Sequence, residues 1–200
     1  MGRNLIFWDV DTQADFMLPG GALYVPGAEA IVPALAKVTS WAAQQHLLVV
    51  ASTDAHQPGD REFSLFPPHC LTGSPGQRKI PETTLFPRFT IPNRPAAQLP
   101  DPDRYSQIIL EKQEFDVFSN PNSELLLARL GKPDVVLYGV VTEICVSAAA
   151  LGLLDRGYRV TLLEDAVRHL EAEKGRSFIE EFRRQGGRIL ASGDLLSTAA

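Results

Sequence analysis

Cys145 is the residue whose type and position best suit nucleophilic chemistry. It lies in the stretch YGVVTEICVSAAALGLLDRG (138–157), where an apolar strand-like segment runs into a helix rich in small residues. In the opening turn of such a helix, unpaired backbone N–H groups and the positive end of the helix dipole stabilise a thiolate. Thr142 is expected to cap this helix with its hydroxyl group. The alternative is that Cys145 is only a small buried residue, as free cysteines often are.

A cysteine nucleophile needs a base or a cation beside it, and Asp11 and Lys112 are the candidates. Asp11 follows the first apolar run of the chain, and Lys112 closes the third. A carboxylate whose pKa is raised by burial can take the thiol proton, and an ammonium group can stabilise the resulting charge. Each residue also has an ordinary explanation, as a turn aspartate and as a surface lysine. A shared catalytic role with Cys145 explains all three positions together.

The segment TDAHQPGDREFSLFPPHC (53–70) contains the residue types that bind a divalent metal. Asp54 and His56 are two residues apart, so they lie on one side of an extended chain. His69 follows two prolines, and Glu62 lies between the two histidines. Zinc, iron and manganese accept such oxygen and nitrogen ligands. We expect one divalent ion here, zinc in the first place with iron or manganese as alternatives, although surface loops also produce Asp-x-His pairs by chance.

Apolar runs recur along the chain at spacings that leave room for helices between them. Six runs fit strands, at 5–10, 47–52, 107–112, 134–141, 159–166 and 187–192, and four patterns fit helices, at 28–45, 123–130, 145–156 and 174–185. Several runs are continuously apolar, which is typical of parallel strands buried on both faces. The alternation predicts a three-layer αβα fold, with a doubly wound, mostly parallel sheet of about six strands.

Ligands of such a sheet bind beyond the carboxyl ends of its strands. Asp11, Asp54, Lys112 and Cys145 each follow or close a predicted strand, so the spacing predicts that they share one edge of the sheet. The alternation stops between residues 53 and 102, where most of the prolines lie. We expect this segment to be rich in loops and functional, within one domain of residues 1–200.

The composition excludes several classes of protein. The chain has 200 residues, of which 44% are hydrophobic and 22% charged, and its net charge is −5 without a long basic run. These values are typical of a globular enzyme-sized domain and argue against nucleic acid as the partner. Asp9 and Asp11 interrupt the apolar run near the N-terminus, so we expect neither a secretory signal nor a membrane span, and a cytoplasmic location.

Five segments resemble the isochorismatase-like cysteine hydrolase superfamily and, within it, the nicotinamidases. VDTQADF (10–16) is similar to the motif with the catalytic aspartate, LEKQEFDVFS (110–119) to the lysine segment, and YGVVTEICV (138–146) to the nucleophile motif. TDAHQPGD (53–60) and FPPHC (66–70) are similar to the metal segment. The resemblance implies catalytic roles for Asp11, Lys112 and Cys145 and metal binding by Asp54, His56 and His69, with Glu62 suited to the variable fourth position.

The resemblance also implies an activity, the conversion of nicotinamide and water to nicotinate and ammonia through a thioester on Cys145. A cis peptide bond between Val140 and Val141 would aim the amides of Val141 and Cys145 at the oxyanion. Three phenylalanines would contact the substrate ring, Phe16, Phe66 and Phe118, although core packing is the favoured alternative for Phe118.

Two residues depart from the nicotinamidase pattern, since Glu143 replaces a typical aspartate and Gln113 a usual glycine. Both departures concern the substrate pocket more than the catalytic residues. The alternatives are a relative that acts on maleamate, a ureido compound or isochorismate, and a non-catalytic binding member. Relatives are often dimers or tetramers, and the helix VSAAALGLL (146–154) could face either a partner subunit or the sheet.

Overall fold

The computed structural model describes residues 4–198 and has one seven-stranded sheet at its centre. All neighbouring strands are parallel, in the order β3-β4-β2-β1-β5-β6-β7. The strands are β1 (Leu5–Val10), β2 (Val49–Asp54), β3 (Arg88–Ile91), β4 (Gln107–Lys112), β5 (Asp134–Val140), β6 (Val160–Arg168) and β7 (Arg188–Leu190).

Among the described residues, six α-helices connect or flank these strands. They are α1 (Ala14–Met17), α2 (Val32–Gln44), α3 (Ser123–Leu130), α4 (Ser147–Asp155), α5 (Ala172–Arg184) and α6 (Ser192–Thr198). A π-helical turn, Thr142–Val146, precedes α4. Within residues 4–198, no helix combines the length and the apolar character that a membrane crossing requires.

The alternation of side chains along the central strand explains the three layers. Trp8 and its even-numbered neighbours in β1 pack with the apolar faces of α3, α4 and α5. Phe7, on the opposite face of β1, packs with α2 through Leu35 and Val38. Because both faces of the strand are buried, its sequence is apolar apart from Asp9 and does not alternate between apolar and polar residues. The predicted three-layer, doubly wound parallel fold is thus confirmed.

The strand count differs from the prediction of about six. The seventh strand is β3, which lies at the edge of the sheet inside the segment expected to be loops. It has only four residues between Pro87 and Pro92, and Arg88 and Thr90 are exposed. An apolar period cannot be recognised over so short a strand, and prolines beside it normally indicate turns.

Candidate active site

The predicted site residues converge because the four strands that present them are neighbours in the sheet. Asp11 directly follows β1, Asp54 ends β2, Lys112 ends β4, and Cys145 follows β5. These strands occupy adjacent places in the order β4-β2-β1-β5, and Asp54 is in register with Lys112. The carboxyl edge of the sheet therefore brings together side chains that are more than 100 residues apart in sequence.

The Lys112 ammonium group lies between Asp11, Asp54 and Cys145, and only 1% of its side chain is exposed. Its Nζ is 2.8 Å from Oδ2 of Asp11 and 3.5 Å from Sγ of Cys145. It also forms an ion pair with Oδ1 of Asp54. Burial alone would lower the pKa of Lys112, but the Asp11 and Asp54 carboxylates outweigh it and raise that pKa well above its usual range. The lysine is therefore a permanent buried cation.

Asp11 has the properties of a buried base. Its backbone turns sharply after β1, with a φ of 49°, and its N–H donates to the carbonyl of Ser52 at 3.2 Å. The Ser52 hydroxyl donates to Oδ1 of Asp11 at 2.6 Å. Burial raises the pKa of Asp11 above its ordinary value, although the charge of Lys112 opposes this change. A raised pKa makes the carboxylate a better proton acceptor near neutral pH.

Cys145 is kept as a thiol in the absence of a reaction. Burial raises its pKa well above the usual value, and the negative charge of Asp11 adds to the effect, whereas Lys112 lowers the pKa. A buried thiol of this kind needs a base at the moment of attack. The same three side chains therefore provide the nucleophile, a proton acceptor and a fixed positive charge.

The turn that presents Cys145 differs from the predicted capping arrangement. The N-cap of the π-helical turn is Val141 rather than Thr142, and the carbonyl of Val141 accepts hydrogen bonds from the N–H groups of Ile144 and Val146. Within the described part of the chain, the buried Thr142 hydroxyl has no hydrogen-bond partner. The Thr142 prediction is wrong because the chain enters a π-helical turn, in which the backbone provides the cap. The implied cis bond between Val140 and Val141 is confirmed.

Asp54, His56, Glu62 and His69 form a compact buried cluster. One ligand atom from each lies within 4.8 Å of all the others. The His69 Nε2 atom is 3.5 Å from oxygens of both Asp54 and Glu62, and the His56 Nε2 atom is 3.8 Å and 3.9 Å from them. Ligands about 2.1 Å from a tetrahedral centre lie about 3.4 Å apart, so the four side chains fit a zinc-sized ion.

The histidine rings are oriented towards the centre of this cluster. Nδ1 of His56 is 3.0 Å from Oδ2 of Asp60, and Nδ1 of His69 is 2.8 Å from the carbonyl of Pro67. Both Nε2 atoms are buried and have no hydrogen-bond partner among the described residues. Burial would lower the pKa of His69, but the nearby carboxylates of Asp54 and Glu62 raise it to about 10. Two unpaired nitrogens facing two carboxylates are the arrangement that a cation satisfies.

Sequence reasoning missed two side chains that hold this cluster in place. Asp60 orients His56, and its only signal in the sequence is its position four residues after that histidine. The Gln13 side chain pairs with the backbone of Asp54, accepting from its N–H at 2.7 Å and donating to its carbonyl at 2.8 Å. Gln13 lies in the same motif as Asp11, so one short segment contributes both a site residue and the support of another.

A narrow apolar pocket lies between Cys145 and the Asp54/His56/Glu62/His69 cluster. Phe16 and Phe66, which are predicted to contact the substrate ring, are among its lining residues. Its other lining residues are Leu23, Val25, Asp54, Glu62, Phe115, Val141, Ile144 and Leu170. Within residues 4–198, no lysine or arginine lines this pocket. Its walls therefore suit a flat uncharged ring.

Phe118 packs against the core, which is the alternative favoured above, and Phe115 lines the pocket instead. Phe118 packs against Trp8 with a ring separation of 6.4 Å, and the Arg156 guanidinium group lies 3.7 Å from its ring centre. The turn after β4 directs this side chain into the core beneath α4. Phe115, three residues earlier, lies in the pocket with its ring 5.9 Å from that of Phe66.

Glu143 and Gln113, which depart from the family pattern, form hydrogen bonds with loops around the pocket. Oε1 of Glu143 accepts hydrogen bonds from the N–H groups of Leu170 and Glu171, at 3.0 Å and 2.6 Å. This carboxylate therefore fixes the loop that supplies the Leu170 wall. The Gln113 side chain donates to the carbonyl of Ala55 at 2.8 Å and does not line the pocket.

Three comparisons with known proteins agree with this geometry. A family model described as isochorismatase domain matches residues 5–194. Nicotinamidase/pyrazinamidase of Mycobacterium tuberculosis is 28% identical over 190 residues, covering 92% of this chain and 96% of that protein. Maleamate amidohydrolase of Pseudomonas putida is 26% identical over 181 residues, covering 88% and 79%. The crystal structure of pyrazinamidase of Pyrococcus horikoshii in complex with zinc has a TM-score of 0.77 and 28% identity, covering 94% of this chain and 99% of that one.

Proposed function

The chain belongs to the isochorismatase family, and from this premise we propose that it is a cysteine-dependent amidase that hydrolyses nicotinamide to nicotinate and ammonia. The observation that carries the proposal is the apolar pocket, which lies between the Cys145 thiol and the Asp/His/Glu/His cluster. A planar heteroaromatic ring suits its aromatic walls. Relatives named as nicotinamidases and pyrazinamidases support the same class of reaction.

The chemistry starts with a proton transfer from Cys145 to Asp11. The Lys112 ammonium group, 3.5 Å from the sulfur, stabilises the thiolate as it forms. The sulfur then attacks the amide carbonyl carbon, and the amides of Val141 and Cys145 are proposed to bind the resulting oxyanion. The protonated Asp11 returns its proton to the leaving nitrogen, so ammonia departs and a thioester remains.

Water completes the reaction by attacking the thioester carbonyl. Asp11, again a carboxylate, takes a proton from this water, and the acid product leaves as the Cys145 thiol re-forms. A divalent ion bound by Asp54, His56, Glu62 and His69 would supply a Lewis acid beside the pocket, suited to holding a ring nitrogen or a carbonyl oxygen. Phe16, Phe66 and Phe115 would orient the ring over the sulfur.

Maleamate is a poorer candidate although one relative is named for that substrate. Maleamate carries a carboxylate, and a buried carboxylate needs a positive partner. Within the described residues, the pocket has no lysine or arginine in its lining, and Lys112 is already paired with Asp11 and Asp54. The two carboxylates of Asp54 and Glu62 would balance the charge of a divalent ion in the cluster. The electrostatics of the pocket therefore favour an uncharged amide.

The proposal is tested by measuring ammonia release from nicotinamide and from maleamate by the purified protein loaded with zinc. We expect turnover of nicotinamide, little turnover of maleamate, and loss of both in Cys145→Ala. The variant should keep its zinc content and thermal unfolding temperature, which shows that only the sulfur is missing. Preference for maleamate, or activity that survives the Cys145→Ala change, would overturn the proposal.

A further inference from the structure

Asp15 is a half-buried carboxylate with a bonding pattern that the proposed reaction does not use. It lies in α1, four residues after Asp11. Its Oδ1 accepts a hydrogen bond from the N–H of Ala22 at 3.0 Å, and its Oδ2 accepts one from the N–H of Cys70 at 2.7 Å. One side chain therefore joins two loops that are nearly 50 residues apart in sequence.

Each of these loops supplies one side of the candidate site. Cys70 directly follows His69, so the Oδ2 contact fixes the backbone beside a proposed metal ligand. Ala22 directly precedes Leu23, which lines the pocket. The N–H of Leu23 also donates to the backbone carbonyl of Asp15 at 3.2 Å. Asp15 therefore holds both the loop beside the proposed metal ligand His69 and the loop that lines the pocket.

The surroundings leave this carboxylate little room to move. The N–H of Asp15 donates to the carbonyl of Gly76 at 3.0 Å. A Cβ atom added at Gly76 would lie 2.1 Å from Oδ2 of Asp15, and one added at Gly21 would lie 2.3 Å from its carbonyl oxygen. Glycine at both positions allows the close approach, because any larger residue would displace Asp15.

We propose that Asp15 is a positioning residue that sets metal affinity and pocket closure together. An acidic residue in the first turn of a helix often serves the helix dipole. Here the two carboxylate oxygens bond to N–H groups outside the helix, and both bonds lead to site loops. The pocket half of this inference rests on the proposed function, whereas the metal half requires no turnover.

Two readouts that do not depend on the substrate test the proposal. The first is zinc affinity measured by competition with a chelator, and the second is the rate at which iodoacetamide alkylates Cys145 in the zinc-saturated protein. We expect Asp15→Ala to weaken zinc binding by about tenfold to a hundredfold, the range for partners that orient metal ligands. Cys145 of the same variant should be alkylated faster, because the loop that carries Leu23 loses the hydrogen bond between the Ala22 N–H and Asp15.

Matched variants separate this role from general damage to the fold. Asp15→Asn retains one acceptor oxygen, so we expect an effect smaller than that of Asp15→Ala in both readouts. Gly76→Ala should reproduce both changes by displacing the carboxylate without removing it. Asp101→Asn alters an exposed aspartate whose side chain accepts a hydrogen bond from the N–H of Asp103, and should change neither readout.

The proposal is overturned if folded Asp15→Ala binds zinc as the wild type does, or if zinc affinity falls while the alkylation rate stays unchanged. The second result would mean that the carboxylate anchors the metal loop alone. If the wild type hydrolyses no nicotinamide, the proposed function fails, but both readouts still decide the role of Asp15. With activity present, Asp15→Ala should raise KM more than it lowers kcat.

Discussion

Replacing Lys112 with methionine should destabilise the protein more than an ordinary core substitution does. Methionine fills a similar volume, so packing changes little. The side chain is 1% exposed, however, and its ammonium group neutralises the buried carboxylates of Asp11 and Asp54. Breaking a buried ion pair from one side costs about 3–5 kcal/mol, because the partner charge is left without compensation. For a chain of this size, that cost lowers the unfolding temperature by roughly 6–20 °C.

Equilibrium unfolding in urea, with EDTA present, measures this cost without a contribution from bound metal. Lys37→Met is the matched control, because Lys37 is exposed on α2, and we expect a change within about 0.5 kcal/mol. The double variant Lys112→Met/Asp11→Asn should recover part of the lost stability, since it also removes the uncompensated negative charge of Asp11.

The pH dependence adds a second test of the same reasoning. Burial already raises the folded-state pKa of Asp11, and loss of the opposing charge of Lys112 raises it further above the unfolded value. The penalty is then fully present at neutral pH and is lost as the pH falls towards the ordinary aspartate range, where the Asp11 carboxylate is protonated in both states. A loss of under about 1 kcal/mol at pH 7, or a double variant less stable than Lys112→Met, would refute the buried-charge argument.

Three further predictions concern catalysis. Phe115→Ala should raise KM for nicotinamide more than Phe118→Ala does, whereas Phe118→Ala should cost more stability in urea unfolding, because only Phe115 lines the pocket. Glu143→Ala should raise KM by releasing the Leu170 wall, while Glu143→Gln should retain most of the affinity, since its amide oxygen still accepts from the loop. The acid limb of kcat/KM should lie above pH 3.8, because burial raises the pKa of Asp11 and the base must be ionised; a limb at or below that value contradicts its role as the base.

The sequence predicts this fold well where apolar runs are long. The runs at 5–10 and 134–141 are central strands buried on both faces, and their residue types leave few alternatives. The prediction fails for short elements, such as β3 with four residues and α1 with four residues, because a period of two or 3.6 needs more positions to appear. Tertiary contacts rather than local preference decide these elements.

The site shows the same division between topology and local conformation. Asp11, Asp54, Lys112 and Cys145 were placed correctly at one edge, because their positions follow from parallel strand order alone. Phe115 was not identified because the turn after β4 has no regular period, so residue spacing does not indicate which of its phenylalanines faces the pocket. Asp15 shows no signal by residue type, and its role appears only when two distant loops are seen to meet it.

The position of β1 in the sheet has a consequence for how the chain is made on the ribosome. One side of β1 pairs with β2 early, but the other side pairs with β5, about 130 residues later. At ordinary translation rates that delay is roughly 6–26 s, during which half of the central strand has no partner. β5, which pairs with this free side of β1, is followed directly by the turn that carries Cys145. The nascent chain thus receives its reactive thiol only as the sheet that shields it is being completed.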